Sequence, residues 1–151
     1  MAGEPIAASL FVAAPPERVY EYFTQPAAIV RWMGEYALLE PEPNGRFAVD
    51  IRGTPVRGRY LELEPPHRLV ISWGYAGSDR LPPGASTVEI RLTAEPGGTR
   101  VELEHRDLPE AETPGHASGW THYLARLELA GRSGEAGADQ GMPAATFPAS
   151  G

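Results

Sequence analysis

The stretch that decides the fold is TPGHASGWTHYLARLELA, Thr113–Ala130. Within it His116, Trp120, Tyr123, Leu124 and Leu127 follow one another at spacings of four, three, one and three, which places them on one helix face. Thr113 offers a capping hydroxyl, Pro114 suits a first helical position, and Glu110 and Glu112 sit near the positive end of the dipole. The residues before it read with a different period. Phe47, Val49 and Ile51 share one strand face; so do Leu69, Ile71, Trp73 and Tyr75, then Val88, Ile90 and Leu92, then Val101, Leu103 and His105. Turn-forming clusters separate these runs: Pro43-Asn44-Gly45, Pro65-Pro66, Pro82-Pro83-Gly84 and Pro96-Gly97-Gly98. Short strands joined this way make an antiparallel meander. An amphipathic helix that comes after such a meander buries its apolar face most economically across the concave side of the twisted sheet.

Further out, Ala8-Ser9-Leu10-Phe11-Val12 reads as a first strand ending at Pro15-Pro16. Val19, Tyr22 and Phe23 then recur at helical spacing until Pro26, and a second short helix over 27–33 brings Ile29 or Val30 and Trp32-Met33 to the core. The expected class is α+β: a curved antiparallel sheet wrapped around a long C-terminal helix, with two short helices after the first strand. The expected organisation is one domain over 1–130 and a disordered C-terminal tail over 131–151. That tail is rich in Gly, Ala, Ser and Pro, with Phe147 its one aromatic, too little apolar surface to offset ordering entropy.

Composition removes whole classes of chemistry. The 151 residues contain no Cys, and all 13 basic residues are Arg. Disulfide frameworks, zinc ribbons and thiolate nucleophiles are excluded, as are Schiff-base lysines and Walker-type phosphate loops. A formal net charge of −7 with scattered arginines argues against a nucleic-acid partner. No apolar run approaches the ~20 residues of a membrane span, and Met1–Ala14 lacks a basic start and a long apolar stretch. The expected setting is cytoplasmic, without a membrane partner.

The inward faces collect a candidate ligand cavity. Its aromatic members are Trp32, Phe47, Tyr60, Trp73, Tyr75, Trp120 and Tyr123. Val49, Ile71, Ile90, Leu103 and Leu124 complete its apolar wall, and His105 and His116 supply polar groups. Pattern leaves two outcomes open: these side chains fill the space themselves, or a small molecule does. His105 and His116 are the candidate catalytic residues, as general bases or as hydrogen-bonding partners of a ligand; the alternative is a core or rim histidine bonded to backbone. His67 and His122 read as solvated. A metal site from His105, His116 and Asp107 or Glu112 has no local chelate spacing, so no metal and no cofactor are expected. Glu102 and Glu104 oppose the inward face. Glu62 and Glu64 share a face with Tyr60 and form a possible rim, while Arg57 and Arg59 fall with Leu61 and Leu63.

Taken together, Ala14-Pro15-Pro16-Glu17-Arg18-Val19, Pro43-Asn44-Gly45-Arg46-Phe47, Val56-Arg57-Gly58-Arg59-Tyr60 and Pro65-Pro66-His67-Arg68-Leu69-Val70-Ile71-Ser72-Trp73 carry a resemblance. Gly98-Thr99-Arg100-Val101-Glu102-Leu103 and His116-Ala117-Ser118-Gly119-Trp120 extend it in the same order. The chain resembles the START-like, helix-grip (SRPBCC) superfamily, and within it the family named after the activator of the heat-shock-protein-90 ATPase. The resemblance implies a helix-grip fold, with Gly58 marking a bulge or bend and Gly119 a close approach of helix to sheet. It implies three functions as expectations. The first is a non-enzymatic module holding a small hydrophobic or amphipathic ligand. The second is a cyclase, aromatase or dehydratase using His105 or His116 with Tyr60, Tyr75 or Tyr123. The third is a chaperone cofactor, here expected to lack the separate N-terminal domain of the eukaryotic proteins. A chaperone or a second copy of the chain are its possible protein partners.

Overall fold

The chain runs β1 (Ile6–Val12), α1 (Pro16–Thr24), α2 (Pro26–Ile29), β2 (Tyr36–Leu39), β3 (Arg46–Ile51), β4 (Thr54–Glu64), β5 (Arg68–Tyr75), β6 (Ser86–Glu95), β7 (Gly98–Arg106) and α3 (Thr113–Ser133). This computed structural model describes residues 3–134 together with Ala136, Gly137 and Asp139. All seven strands form one antiparallel sheet in the order β1-β7-β6-β5-β4-β3-β2. The meander accounts for six of them; β1 closes the far edge on β7, and α1 and α2 carry the chain from that edge to the other. The α+β arrangement of curved sheet and C-terminal helix is the expected one.

Alternation positions the inward face as read. In β7, Thr99, Val101, Leu103 and His105 are buried while Glu102 is exposed. The helical cap is tied down through backbone carbonyls. Tyr22 donates to Ala130 O at 3.1 Å, Trp32 Nε1 to Tyr22 O at 2.9 Å and Tyr60 to Phe23 O at 2.8 Å. Each bond gives a buried polar ring atom the partner it needs.

Five local expectations change. The second helix is a single turn, Pro26–Ile29, and continues as turns rather than helix to Met33. Thr113 does not cap α3: a 3-10 turn over Glu110–Glu112 leads directly into the helix, and the Thr113 hydroxyl points back to Pro109 O at 3.4 Å. The irregularity in β4 falls between Tyr60 and Glu62, where Leu61 is the extra residue. That insertion reverses the parity of the rest of the strand. Leu63 turns to the inner side opposite Leu69, and Glu62 and Glu64 leave Tyr60's face for the outer one, where both hold Arg68 at 2.7 Å. Gly58 serves close packing instead, since a Cβ there would collide with Ser72 O on β5. Nothing lies within 4 Å of a Cβ built at Gly119, and the tight approach of α3 is at Gly131, against Val12.

The C-terminal boundary also moves. The helix continues three residues past 130, to Ser133, and ends on Gly134 at φ 95. Ala136 N–H then donates to Arg31 O at 3.1 Å. Of the expected tail, 135, 138 and 140–151 lie outside the described residues. Among the described residues no helix is long and apolar enough to cross a membrane.

Candidate functional site

Beneath the middle of α3, Trp120 reaches the sheet at Trp73, with ring centroids 5.2 Å apart. Trp73 lies 5.8 Å from Phe47, and Phe47 meets Tyr60 edge-on at 5.7 Å. None of these four rings is more than 5% exposed, so they pack on one another where the sequence left room for a ligand. Val49, Ile71, Ile90, Leu103 and Leu124 are buried around them. Trp32 belongs elsewhere in the core, edge-on to Phe23 at 5.3 Å. Among the described residues, surface depressions elsewhere include two. One, of about 390 Å³, lies over β1, β6 and β7; the other, of about 610 Å³, lies between Glu35, Arg52 and Arg126. Of the expected cavity residues only Leu103 borders either.

The two candidate histidines adjoin each other edge-to-face, with centroids 5.3 Å apart, and differ in what their nitrogens do. Ser86 Oγ gives its hydrogen to Trp73 O at 2.8 Å, so at 2.8 Å from His105 Nε2 it accepts the ring N–H. Trp120 Nε1 donates to His105 Nδ1 at 2.9 Å. The network therefore assigns His105 the neutral Nε2–H tautomer with both nitrogens engaged. Burial, then the neighbouring His116, lowers its pKa to about 3. His105 is fully buried and cannot take a proton without losing the tryptophan bond.

His116 is built the other way round. Its Nδ1–H donates to Glu112 O at 2.8 Å, a carbonyl of the 3-10 turn that leads into α3. That leaves the Nε2 lone pair to accept the Tyr75 hydroxyl at 2.7 Å. The long approach of Trp73 Nε1 to the same phenol oxygen, 3.4 Å, completes a polar cluster on β5. His116 and Tyr75 are both half-buried. Burial lowers the His116 pKa against the opposing pull of the Glu112 carbonyl and charge, and burial raises that of the Tyr75 phenol. A neutral imidazole oriented by one acceptor and facing a hydroxyl is the arrangement of an acid–base pair. It can equally bind a ligand hydroxyl or carbonyl.

The other two candidate tyrosines have different tasks. Tyr60 spends its hydroxyl on Phe23 O. Tyr123 donates to Asp139 Oδ2 at 2.7 Å, and burial together with that carboxylate raises its pKa. His122 is not solvated as expected: its Nε2 lies 2.9 Å from Asp139 Oδ1, with the side chain 19% exposed. Arg52 and Arg126 join this second cluster by donating to Asp139 O at 3.0 Å and Gly137 O at 2.8 Å. Neither Ser86 nor Asp139 is among the residues expected from sequence. Ser86 stands two residues before Val88 on the inward face, so alternation alone points to it; Asp139 carries no such signal. Among the described residues no three His, Asp or Glu side chains converge to hold a metal ion.

The outer face of the sheet is charged rather than reactive. Glu89 holds Arg68 and Arg91 at 2.8 Å and Arg106 at 2.9 Å. Its hydrogen bond to Arg68 is the main cause of its lowered pKa.

A family model described as Activator of Hsp90 ATPase homolog 1-like protein matches residues 13–130. Among solved structures, the AHSA1-like protein from Rhizobium etli is 41% identical, with 95% of this chain and 90% of that chain covered at a TM-score of 0.73. CalU16 from Micromonospora echinospora is 33% identical over 83% of this chain and 72% of its own, at a TM-score of 0.69. DynU16, a protein of the dynemicin biosynthetic locus, is similar in fold, at 21% identity and a TM-score of 0.76; the chain covers 49% of that structure's length. No curated protein matches the sequence.

Proposed function

The chain belongs to the family of Activator of Hsp90 ATPase homolog 1-like proteins, and from that premise we propose that it binds a small hydrophobic or amphipathic molecule at the mouth between α3 and the sheet. The observation that carries this reading is the half-buried Tyr75–His116 pair, bonded at 2.7 Å. It is a convergent polar group at the edge of packed aromatic rings, the combination that fixes small ligands. Trp73 and Trp120 form the floor next to it. Gly119, three residues after His116, faces open space, so the helix side chain that would fill the mouth is missing. Because the interior rings are close-packed, the ligand sits above them and meets their edges. Binding, rather than turnover, is the function proposed.

Thermal shift against a panel of fatty, aromatic and terpenoid compounds tests it, alongside native mass spectrometry of gently purified protein. A bound species or a raised Tm is expected, and Gly119→Leu removes the ligand response while keeping the fold. No response across the panel in the unaltered protein overturns the reading.

The close packing under Trp120 favours a second reading, in which the surface engages a chaperone and the interior is scaffold. The Plasmodium falciparum HSP90 activator shares the fold at a TM-score of 0.69 and 21% identity, which carries no function across. A change in the ATPase rate of a cognate chaperone on adding this protein is the expected result of that reading; an unchanged rate disposes of it.

A further inference from the structure

The second polar cluster holds one of the chain's own carboxylates as a ligand would be held. Tyr123 donates to one oxygen of Asp139 at 2.7 Å, and His122 lies 2.9 Å from the other. Since a carboxylate only accepts, His122 presents Nε2–H to it. Arg52 and Arg126 grip the backbone on either side, at Asp139 O and Gly137 O. The Asp139 side chain is only 12% exposed, unusual for an aspartate near a chain end. Arg52 reaches it from the β3–β4 turn at φ 49, a left-handed conformation that such turns normally give to Asn, Asp or Gly. An arginine accepting that backbone is a sign that its side chain is wanted there.

The surrounding depression, about 610 Å³, is lined by Val30 and Gly34 as well as by Glu35, Arg52, Arg126 and Asp139, a volume suited to a small molecule. Among the described residues that line it, two guanidinium groups stand against two carboxylates. Glu35 is held in place by the Arg52 backbone N–H at 2.7 Å. Moving Asp139 out leaves one positive charge in excess, together with the Tyr123 and His122 donors.

We propose that Arg52, His122, Tyr123 and Arg126 form a carboxylate-recognition site that Asp139 occupies in cis, and that an aliphatic carboxylate competes for it. The inference deepens the mouth-binding reading and rests on it, because Tyr123 stands one helical turn after Gly119 on the same flank of α3. The carboxylate takes the Tyr123 and His122 donors, and its chain runs along Gly119 towards Tyr75 and His116. From residue 123 to residue 116 is about 10 Å along a helix, close to the reach of a medium-length alkyl chain. A tethered competitor has an effective concentration in the millimolar range, so Asp139 keeps the unaltered protein's apparent affinity low.

The test titrates decanoate, below its micellar concentration, into the full chain, Asp139→Ala and Asp139→Ala/Arg52→Gln. Intrinsic tryptophan fluorescence and the NMR signals of His122 and Tyr123 are monitored, and 1-decanol serves as the uncharged control. Asp139→Ala is expected to bind decanoate at least about tenfold more tightly than the full chain, with the gain lost in the double variant and absent for decanol. Equal affinity in the full chain and Asp139→Ala, or an equal gain for decanol, overturns the carboxylate site. If decanol and decanoate then still perturb Trp120 equally in every variant, the mouth reading survives that failure. Silence of both probes in all three proteins overturns both. Matching thermal melts for the three proteins establish that the variants are folded.

Discussion

His105 and His116 are neighbours in space, yet one is closed and the other is open. At His105 the two nitrogens are consumed by Trp120 and Ser86, and the ring is fully buried. At His116 one nitrogen is anchored on a carbonyl of the turn before α3 and the other meets a half-buried phenol. The same side chain is thus a structural strut 5.3 Å from a potential contact for ligand or proton. Residue type and burial do not separate the two roles. What separates them is whether each nitrogen's partner could be exchanged for a ligand without leaving a buried group unsatisfied.

The largest expected effect lies on the closed side. His105→Ala removes the acceptor for Trp120 Nε1 and a donor to Ser86, and leaves a hole among packed rings. A loss of about 3–5 kcal/mol is expected, read as a lower urea midpoint. His116→Ala, on the rim, should cost well under half of that; equal losses would break the distinction.

pH sharpens the same contrast. The His105 pKa falls from 6.5 in the unfolded chain to about 3 in the fold, so between those values the unfolded state binds more protons. Stability is therefore complete above pH 6.5 and declines as pH falls towards 3. Unfolding midpoints at pH 7, 5.5 and 4 should show the advantage of the unaltered protein over His105→Gln shrinking with each step. A constant difference would mean that His105 does not resist protonation.

Smaller effects are expected at the open side. Tyr75→Phe deletes the donor to the neutral His116 ring, at a cost of about 1 kcal/mol or less, and His116 then titrates at higher pH, visible in its Hε1 resonance. An unmoved titration would dissolve the pair. Gly119→Ala gains up to about 1 kcal/mol, because no atom lies within 4 Å of the added Cβ. A loss in thermal melts would show that the mouth is tighter than described.

Much of the molecule is legible along the chain, for local reasons. The inward positions of Phe47, Trp73 and His105 and the core-facing residues of α3 come from the periods of strand and helix. Strict alternation misplaces Glu62 and Glu64 because Leu61 is extruded between pairs made with β5, a register set by the neighbouring strand. A mid-helix glycine invites the explanation of close approach, which fails at Gly119; the close approach is at Gly131. Asp139 is hidden in a low-complexity stretch, and only the arrival of Tyr123 and His122 on its two oxygens marks it out.

Composition and periodicity decided which chemistry this chain carries: arginine without lysine, no thiol, an aromatic inner face, and imidazole and phenol as its reactive groups. They also decided the layers, since two periods of burial admit few packings. Tertiary structure alone decided which imidazole retains an exchangeable partner. His105 meets Ser86 across 19 residues and Tyr75 meets His116 across 41. A nitrogen's donor or acceptor role is settled by whichever group arrives opposite it, and nothing along the chain encodes that arrival locally.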